Sequence, residues 1–356
     1  MSALFWFLLS CTALAHDMTP LDRLLNEGIA ARIFPGAVVL ITHEGKVIHR
    51  KAYGRYTYDE DAPVMTTETL FDIASLTKVV ATTTLAMMLF DRGLLDLKSA
   101  VGDYIPAYAA ADRADIRVKH LLTHTSGIQE QLITTPGMSR EELWDTMLHY
   151  PVDNTGVEYR YTYTCTNMIL LQHIIECITG ASFRDLTHSW ILEPVAMHHT
   201  CFCPADRSRC APTRGVSWRG DCIQGVVEDD RAFILGCIAG NAGLFSTADD
   251  LARFMAMILG GGVAADGRQL IDAETIRSWT TQQCAFKRGY GWELGRHLSE
   301  HAFGHFGWTG TSIWADHERK LCCILLTNRT YLSDGPERMR IFREQFHEMV
   351  MAVLVE

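Results

Sequence analysis

The chain has 356 residues, 48% of them apolar and 21% charged, with a net charge of −10. That balance belongs to a globular chain of one large domain or two that share an interface. Lys and Arg are scattered and build no basic stripe of the kind phosphate contacts require, which excludes a nucleic-acid partner.

The N-terminal MSALFWFLLSCTALAHD reads as an export signal covering residues 1–15. Ala13-Leu14-Ala15 supplies the small-x-small pattern of a cleavage site. The apolar run from Ala3 to Leu14 is shorter than the ~20 residues a spanning helix needs. Leu8-Leu9-Ser10-Cys11 also fits a relaxed lipobox, in which a lipidated Cys11 would anchor the chain to a membrane. Either route places the protein in the periplasm or cell envelope.

Gly36 to Gly54 predicts a β-hairpin, with the apolar run Ala37–Ile41, turn chemistry at His43–Lys46 and a strand resuming at Val47. Ser75 to about Arg92 predicts a helix that stops at Gly93. Val79, Val80, Leu85, Met88, Leu89 and Phe90 make it apolar on nearly every face, so it should be buried. Further helices are expected near Arg117–Leu122, Arg140–Tyr150 and Asn167–Ile178, and a surface loop over residues 204–222. Thr247 caps a helix with Asp249 and Asp250 in its first turn, ended by Gly260–Gly262. Ser312–Ala315 and Leu321–Leu326 form a second hairpin, and Pro336 opens a last helix reaching about Leu354. Strands thus lie at both ends and helices between. The simplest topology is an α/β domain from residues 16–74 and 236–356, with a mainly helical domain, residues 75–235, inserted. A cleft between them is the natural place for a site.

Ser75-Leu76-Thr77-Lys78 is the only S-x-x-K in the chain. On a helix, i and i+3 share a face, so Lys78 can reach the Ser75 hydroxyl. A serine is a poor nucleophile until a base takes its proton, and burial should lower the pKa of Lys78 enough to serve. Tyr163, just ahead of a helix starting near Asn167, can relay protons, with Tyr159 and Tyr161 as rivals. His305-Phe306-Gly307 precedes a strand, and Gly307 and Gly310 flank Trp308 and Thr309, leaving a bare backbone along which a substrate could lie.

Among the 11 cysteines, Cys201, Cys203, Cys210 and Cys222, with His198 and His199, could suggest zinc, but lack the paired C-x2-C spacing, and free thiols are the commoner reading. His120 and His124 share a helical face at i, i+4 with no third ligand nearby, which favours packing. His301 and His305 have the same spacing, but would not converge on a strand. Asp72 reads as a cap or turn residue. No metal and no cofactor is expected, and a monomer is.

The stretches FPGAVVLITHEGKV (34–47), TLFDIASLTKVVATT (69–83), VKHLLTHTSGI (118–128), GNAGLFSTADDLARF (240–254) and FGHFGWTGTSIWADHERKL (303–321), taken with Tyr163 and ILLTNR (324–329), resemble the serine β-lactamase and penicillin-binding-protein superfamily. The likeness is to its class C-like branch, and within that to low-molecular-mass penicillin-binding proteins regarded as D-alanyl-D-alanine carboxypeptidases. The resemblance implies a β-lactamase/transpeptidase-like fold: an antiparallel sheet flanked by helices, built from both chain ends, with an inserted all-α domain. It implies acyl-enzyme chemistry with Ser75 as nucleophile, Lys78 as base and Tyr163 as relay. The oxyanion hole would use the backbone N–H groups of Ser75 and Trp308, and the substrate would meet Cys165, His305, Phe306 and Gly307.

Three positions depart from the family pattern. Cys165 stands where relatives carry an asparagine that bonds lysine and substrate, with Asn167 as a fallback if the loop is re-registered. Phe306 replaces a threonine, and Asn241 stands where close relatives often carry histidine. The expected substrates are cell-wall peptides ending in D-Ala-D-Ala. The alternatives are an esterase or weak class C-like β-lactamase, and a non-catalytic penicillin- or peptidoglycan-binding sensor.

Overall fold

The computed structural model describes residues 16–131, 134–215, 218–295, 298–332 and 335–355. The expected export segment and Cys11 lie outside the described residues. Helix α1 (Thr19–Ala30) leads into β1 (Gly36–His43), β2 (Lys46–Gly54) and β3 (Phe71–Asp72). A π-helical turn (Lys78–Thr83) continues into α2 (Thr84–Asp91), followed by α3 (Val118–Thr123), α4 (Arg140–Leu148), α5 (Cys165–Thr179) and α6 (Phe183–Leu186). Next come β4 (Cys201–Phe202), β5 (Thr213–Arg214), β6 (Cys222–Ile223), α7 (Asp230–Ile234) and β7 (Leu244–Ser246). The chain closes with α8 (Ala248–Leu259), α9 (Ala273–Trp279), β8 (Glu293–Leu294), β9 (Phe303–Phe306), β10 (Ser312–Asp316), β11 (Leu321–Thr327) and α10 (Pro336–Val355).

The main sheet has the order β2-β1-β11-β10-β9-β8, with every neighbouring pair antiparallel. Its first hairpin turns at Glu44 (φ 51°) and Gly45 (φ 76°), the two left-handed residues that a tight hairpin needs. Alternate side chains of β1 go to opposite faces. Ala37, Val39 and Ile41 pack with Leu21 and Leu25 of α1 and Phe342 and Phe346 of α10. Val38 and Leu40 join Leu251 and Phe254 of α8. Burial on both faces is why β1 and β11 are continuous apolar runs instead of alternating ones.

The second core runs without a break from the sheet into the helical middle, where Ile313 and Ile324 share it with Val80, Leu170 and Ile174. The middle is not wholly helical: β4 pairs with β7, which pairs with β3, and β5 pairs with β6. The surface-loop reading of 204–222 therefore gives way at Thr213–Arg214 and Cys222–Ile223.

The helix expected from Ser75 begins just after it. Leu76, Thr77 and Lys78 donate their N–H groups three residues back, at 3.0, 3.0 and 3.1 Å, and the π turn follows. Burial is as expected for Val79, Val80, Leu85, Met88 and Leu89, whereas Phe90 faces outward, 38% exposed, with its ring 5.8 Å from that of Trp279. His305 and Phe306 end strand β9 instead of preceding a strand, opposite Ile313 and Ser312 of β10.

Candidate active site

Ser75 sits at the turn leaving β3. The residue before it, Ala74, has φ 46°, a left-handed conformation that an alanine adopts only when its surroundings hold it. The carboxylate of Asp72 does so, accepting from the Ala74 N–H at 2.8 Å. Asp72 is therefore a turn residue, as expected, and is also 2% exposed.

One helical turn on, Lys78 is completely buried. Its Nζ donates to Ser75 Oγ at 2.8 Å, to the Asn241 carbonyl at 2.9 Å and to Cys165 Sγ at 3.6 Å. An ammonium has three N–H donors, and these three acceptors take them all. Burial, the largest single influence, disfavours the charge, but Cys165, Tyr163 and Asp229 outweigh it and hold Lys78 above the ordinary lysine value. This corrects the expectation of a depressed pKa, which weighed burial without the groups that burial brings along.

Helix α5 delivers two residues from the opposite side. Thr164 caps it by accepting from Asn167 N–H, and Glu130 accepts from the Thr166 N–H and hydroxyl at 2.7 and 2.8 Å. Tyr163, just outside the cap, sets its phenol beside Ser75 and Lys78. Lys78 Nζ lies 5.1 Å from its ring centroid. Burial raises the Tyr163 pKa against the pull of Lys78, so the phenol keeps its proton. Burial likewise holds Cys165 as a thiol. Asn167 does not stand in for the missing amide. Its Oδ1 accepts from Ser126 Oγ at 2.8 Å, and its Nδ2 meets His124 Nδ1 at 3.1 Å. Tyr161 lines the cleft, its ring 6.0 Å from that of Phe286.

The third side is the end of β9. Ser75, Tyr163, His305, Phe306, Gly307 and Trp308 line one cleft of about 230 Å³. Burial keeps His305 neutral. Its Nδ1 lies 2.8 Å from the Phe306 carbonyl, which assigns the proton to Nδ1 and leaves Nε2 as an acceptor without a partner among the described residues. Gly307 is required by close approach, because a Cβ there would lie 2.0 Å from Thr311 Oγ1 and 2.7 Å from the Ile73 carbonyl. Among the described residues, neither the Ser75 nor the Trp308 N–H donates to a protein acceptor. Both are open to receive developing negative charge.

Three charged residues not named as site candidates also line the cleft: Glu293, Arg329 and Arg343. Arg329 follows β11 and places its guanidinium 4.5 Å from the Trp308 ring centroid. It is 4% exposed, and among the described residues its guanidinium makes no hydrogen bond or ion pair. Arg343 of α10 donates to the carbonyls of Gly307 and Thr311 at 2.7 and 2.8 Å. Arg329 closes the ILLTNR stretch without being marked as a site residue, no motif marks Arg343, and only the sheet order brings the two to Ser75. Asn241 enters the site through its carbonyl, a group that any residue there would offer.

The other candidates lie elsewhere. His120 bonds Glu158 and the Arg117 N–H at 3.1 and 3.0 Å. Cys210 is buried against Leu70 and Phe245, while Cys203 and Cys222 are exposed. Among the described residues no group of three or more His, Cys, Asp or Glu side chains is placed to hold a metal ion.

A serine, lysine and tyrosine in mutual contact beside two open N–H groups can carry acyl transfer. The chain is 30% identical, over 91% of its own length and 84% of the relative's, to a Bacillus subtilis (strain 168) protein named N-acetylmuramyl-L-alanine amidase. It is 27% identical, over 88% and 82% of the two lengths, to an Escherichia coli (strain K12) protein named "Putative D-alanyl-D-alanine carboxypeptidase". Its fold matches the octameric penicillin-binding protein homologue from Pyrococcus abyssi with a TM-score of 0.76 at 24% identity, covering 95% of this chain and 77% of that one. The Beta-lactamase family matches residues 21–346, and the chain belongs to that family of serine hydrolases.

Proposed function

We propose that the protein is a D-alanyl-D-alanine carboxypeptidase-like penicillin-binding protein, cleaving peptides that end in a free carboxylate. The observation that carries this reading is Arg329, a nearly buried residue whose guanidinium has no hydrogen-bonding partner among the described residues, in the same cleft as Ser75. A cation held out of bulk water beside an aromatic ring suits a planar carboxylate. Arg343 adds positive charge on the same side. The carboxypeptidase name of the Escherichia coli relative agrees with it, while the amidase name of the Bacillus subtilis relative agrees only with amide hydrolysis.

In this reading Ser75 Oγ attacks the penultimate carbonyl while its proton passes to Lys78, which has first shed one of its own by way of the Tyr163 phenol. The N–H groups of Ser75 and Trp308 bind the oxyanion. The departing amine of the terminal residue takes a proton from the Lys78–Tyr163 pair. Water then attacks the Ser75 ester and restores the hydroxyl. Cys165 favours a second reading, an esterase, because a thiol is too weak a donor and acceptor to orient a substrate amide.

The test is release of D-alanine from a D-Ala-D-Ala-ended peptide, set against hydrolysis of a nitrophenyl ester. Release that disappears in Ser75→Ala supports the peptidase. Ester cleavage alone supports the esterase. A penicillin adduct on Ser75 that persists, with neither substrate turned over, identifies a sensor.

A further inference from the structure

We propose that Asp72 is a positioning residue for acyl transfer, its carboxylate and main-chain carbonyl locking together the two loops whose N–H groups would bind the oxyanion. The proposal rests on the acyl-transfer reading of Ser75.

Asp72 is the last residue of β3, and each of its acceptor groups holds a different segment. Oδ1 accepts from the Ala74 N–H at 2.8 Å, immediately before Ser75. Oδ2 accepts from the Glu228 N–H at 2.7 Å. The main-chain carbonyl accepts from Thr309 Oγ1 at 2.7 Å, immediately after Trp308. The Ile73 carbonyl adds a bond from Thr311 Oγ1 at 3.2 Å. The Ser75 turn and the Trp308 turn are distant in sequence and reach the cleft from different sheets. This clasp at the end of β3 sets their spacing, and an oxyanion hole works only when both donors meet the same oxygen. The left-handed Ala74 sharpens the need, because without its acceptor the turn would relax toward an ordinary backbone conformation.

The chemistry demands a carboxylate. Both side-chain oxygens face N–H donors. An asparagine would satisfy one and turn its own NH₂ toward the other. A protonated aspartic acid has the same fault. Asp72 is faced by Glu228, Asp229, Arg219 and Cys210. Burial, opposed by its two N–H bonds, pushes it up to about 6. Activity should therefore carry an acid limb near that value, lost as the pH falls.

The experiment compares a nitrophenyl ester with its thiono analogue, whose sulfur is a poor acceptor for oxyanion-hole donors. In Asp72→Asn, kcat for the oxygen ester should fall about 100-fold, as when one oxyanion-hole donor is lost. KM should change less than about two-fold and the thiono ester less than about three-fold, so the oxygen-to-sulfur rate ratio collapses. Equal losses on both esters, or no loss, overturn the proposal. If Asp72→Asn does not fold, Thr309→Val cuts the other arm of the clasp at nearly constant volume. The same ratio then decides, a collapse supporting the proposal and an unchanged ratio overturning it. A wild type that cleaves neither ester, or full activity in Ser75→Ala, would instead sink the acyl-transfer reading.

Discussion

The two walls of the Ser75 cleft treat their polar groups differently. On the wall of Lys78 and α5, each of the three lysine N–H groups has an acceptor, and the phenol of Tyr163 and thiol of Cys165 close around it. On the wall of β9, β11 and α10, the His305 Nε2 and the Arg343 Nε lack hydrogen-bond partners among the described residues, and the Arg329 guanidinium makes no hydrogen bond there, resting against the Trp308 ring within the field of Glu228. Lys78 and His305 are both buried, so the difference between these two groups is not one of solvent access. A saturated wall keeps its protons in place until chemistry moves them. An open wall has donors and acceptors left over for a ligand, because buried polar groups without partners are costly unless something visits them.

The largest expected effect tests the saturated wall. Lys78→Arg should lower kcat/KM by ~10²–10⁴-fold, because a guanidinium cannot give up its proton to act as base. The wild-type rate should climb through the alkaline range. Lys78 is held above the ordinary lysine value, so its neutral form grows as the pH rises. A plateau reached below neutrality would show that the surrounding acids do not hold the proton.

The open wall is tested by Arg329→Leu. Charge-assisted hydrogen bonds contribute roughly 1.5–3 kcal/mol, so kcat/KM for a peptide with a free C-terminal carboxylate should fall ~10–150-fold. The same peptide capped as an amide should respond far less. Equal losses on both would remove Arg329 from recognition.

Cys165 belongs to the first wall, touching Lys78, and in the proposed reading it would meet the substrate amide. Cys165→Asn should raise turnover of amide-bearing β-lactams and peptides about 10-fold, on the scale of one recovered hydrogen bond, and that of a nitrophenyl ester less. An unchanged ratio of the two kcat/KM values would show that the thiol already orients the amide.

The smallest effect concerns stability behind the open wall. Glu228 accepts from Thr330 Oγ1 at 2.6 Å, next to Arg329 in the chain, and burial pushes it up to about 8. Unfolded, a glutamate ionises near 4.5, so across this window the folded state binds the extra proton. Stability is then full below the unfolded value and is lost as pH rises through the folded one. Glu228→Gln should raise Tm by a few degrees at about pH 8.5 relative to wild type, and by less at about pH 5. Parallel Tm curves for the two forms would place the proton elsewhere.

Much of this was legible locally. The 36–54 hairpin, the Thr247 cap, the α3, α4 and α5 helices and the Pro336 start each rest on neighbouring residues that carry their own signal. The cleft residues from Ser75 to Trp308 were legible as well, through a resemblance spread along the chain. Helix α1 carries a weaker local signal: Leu21, Leu25 and Gly28 form its buried face, but its N-cap residue makes no side-chain cap bond. The short strands β3, β4 and β7 carry too few residues to show a period, and exist because each supplies the others' hydrogen bonds.

What the sequence determined by itself is therefore local: which segments are apolar on two faces, where helices are capped, and that one serine has a lysine three residues on. The charge of Lys78, the two-sided grip of Asp72 and the arrival of Arg329 and Arg343 were decided by tertiary structure. Each depends on groups brought together from distant segments, and hydrogen bonds and electrostatic fields act on separation in space, which the order of residues along the chain does not record.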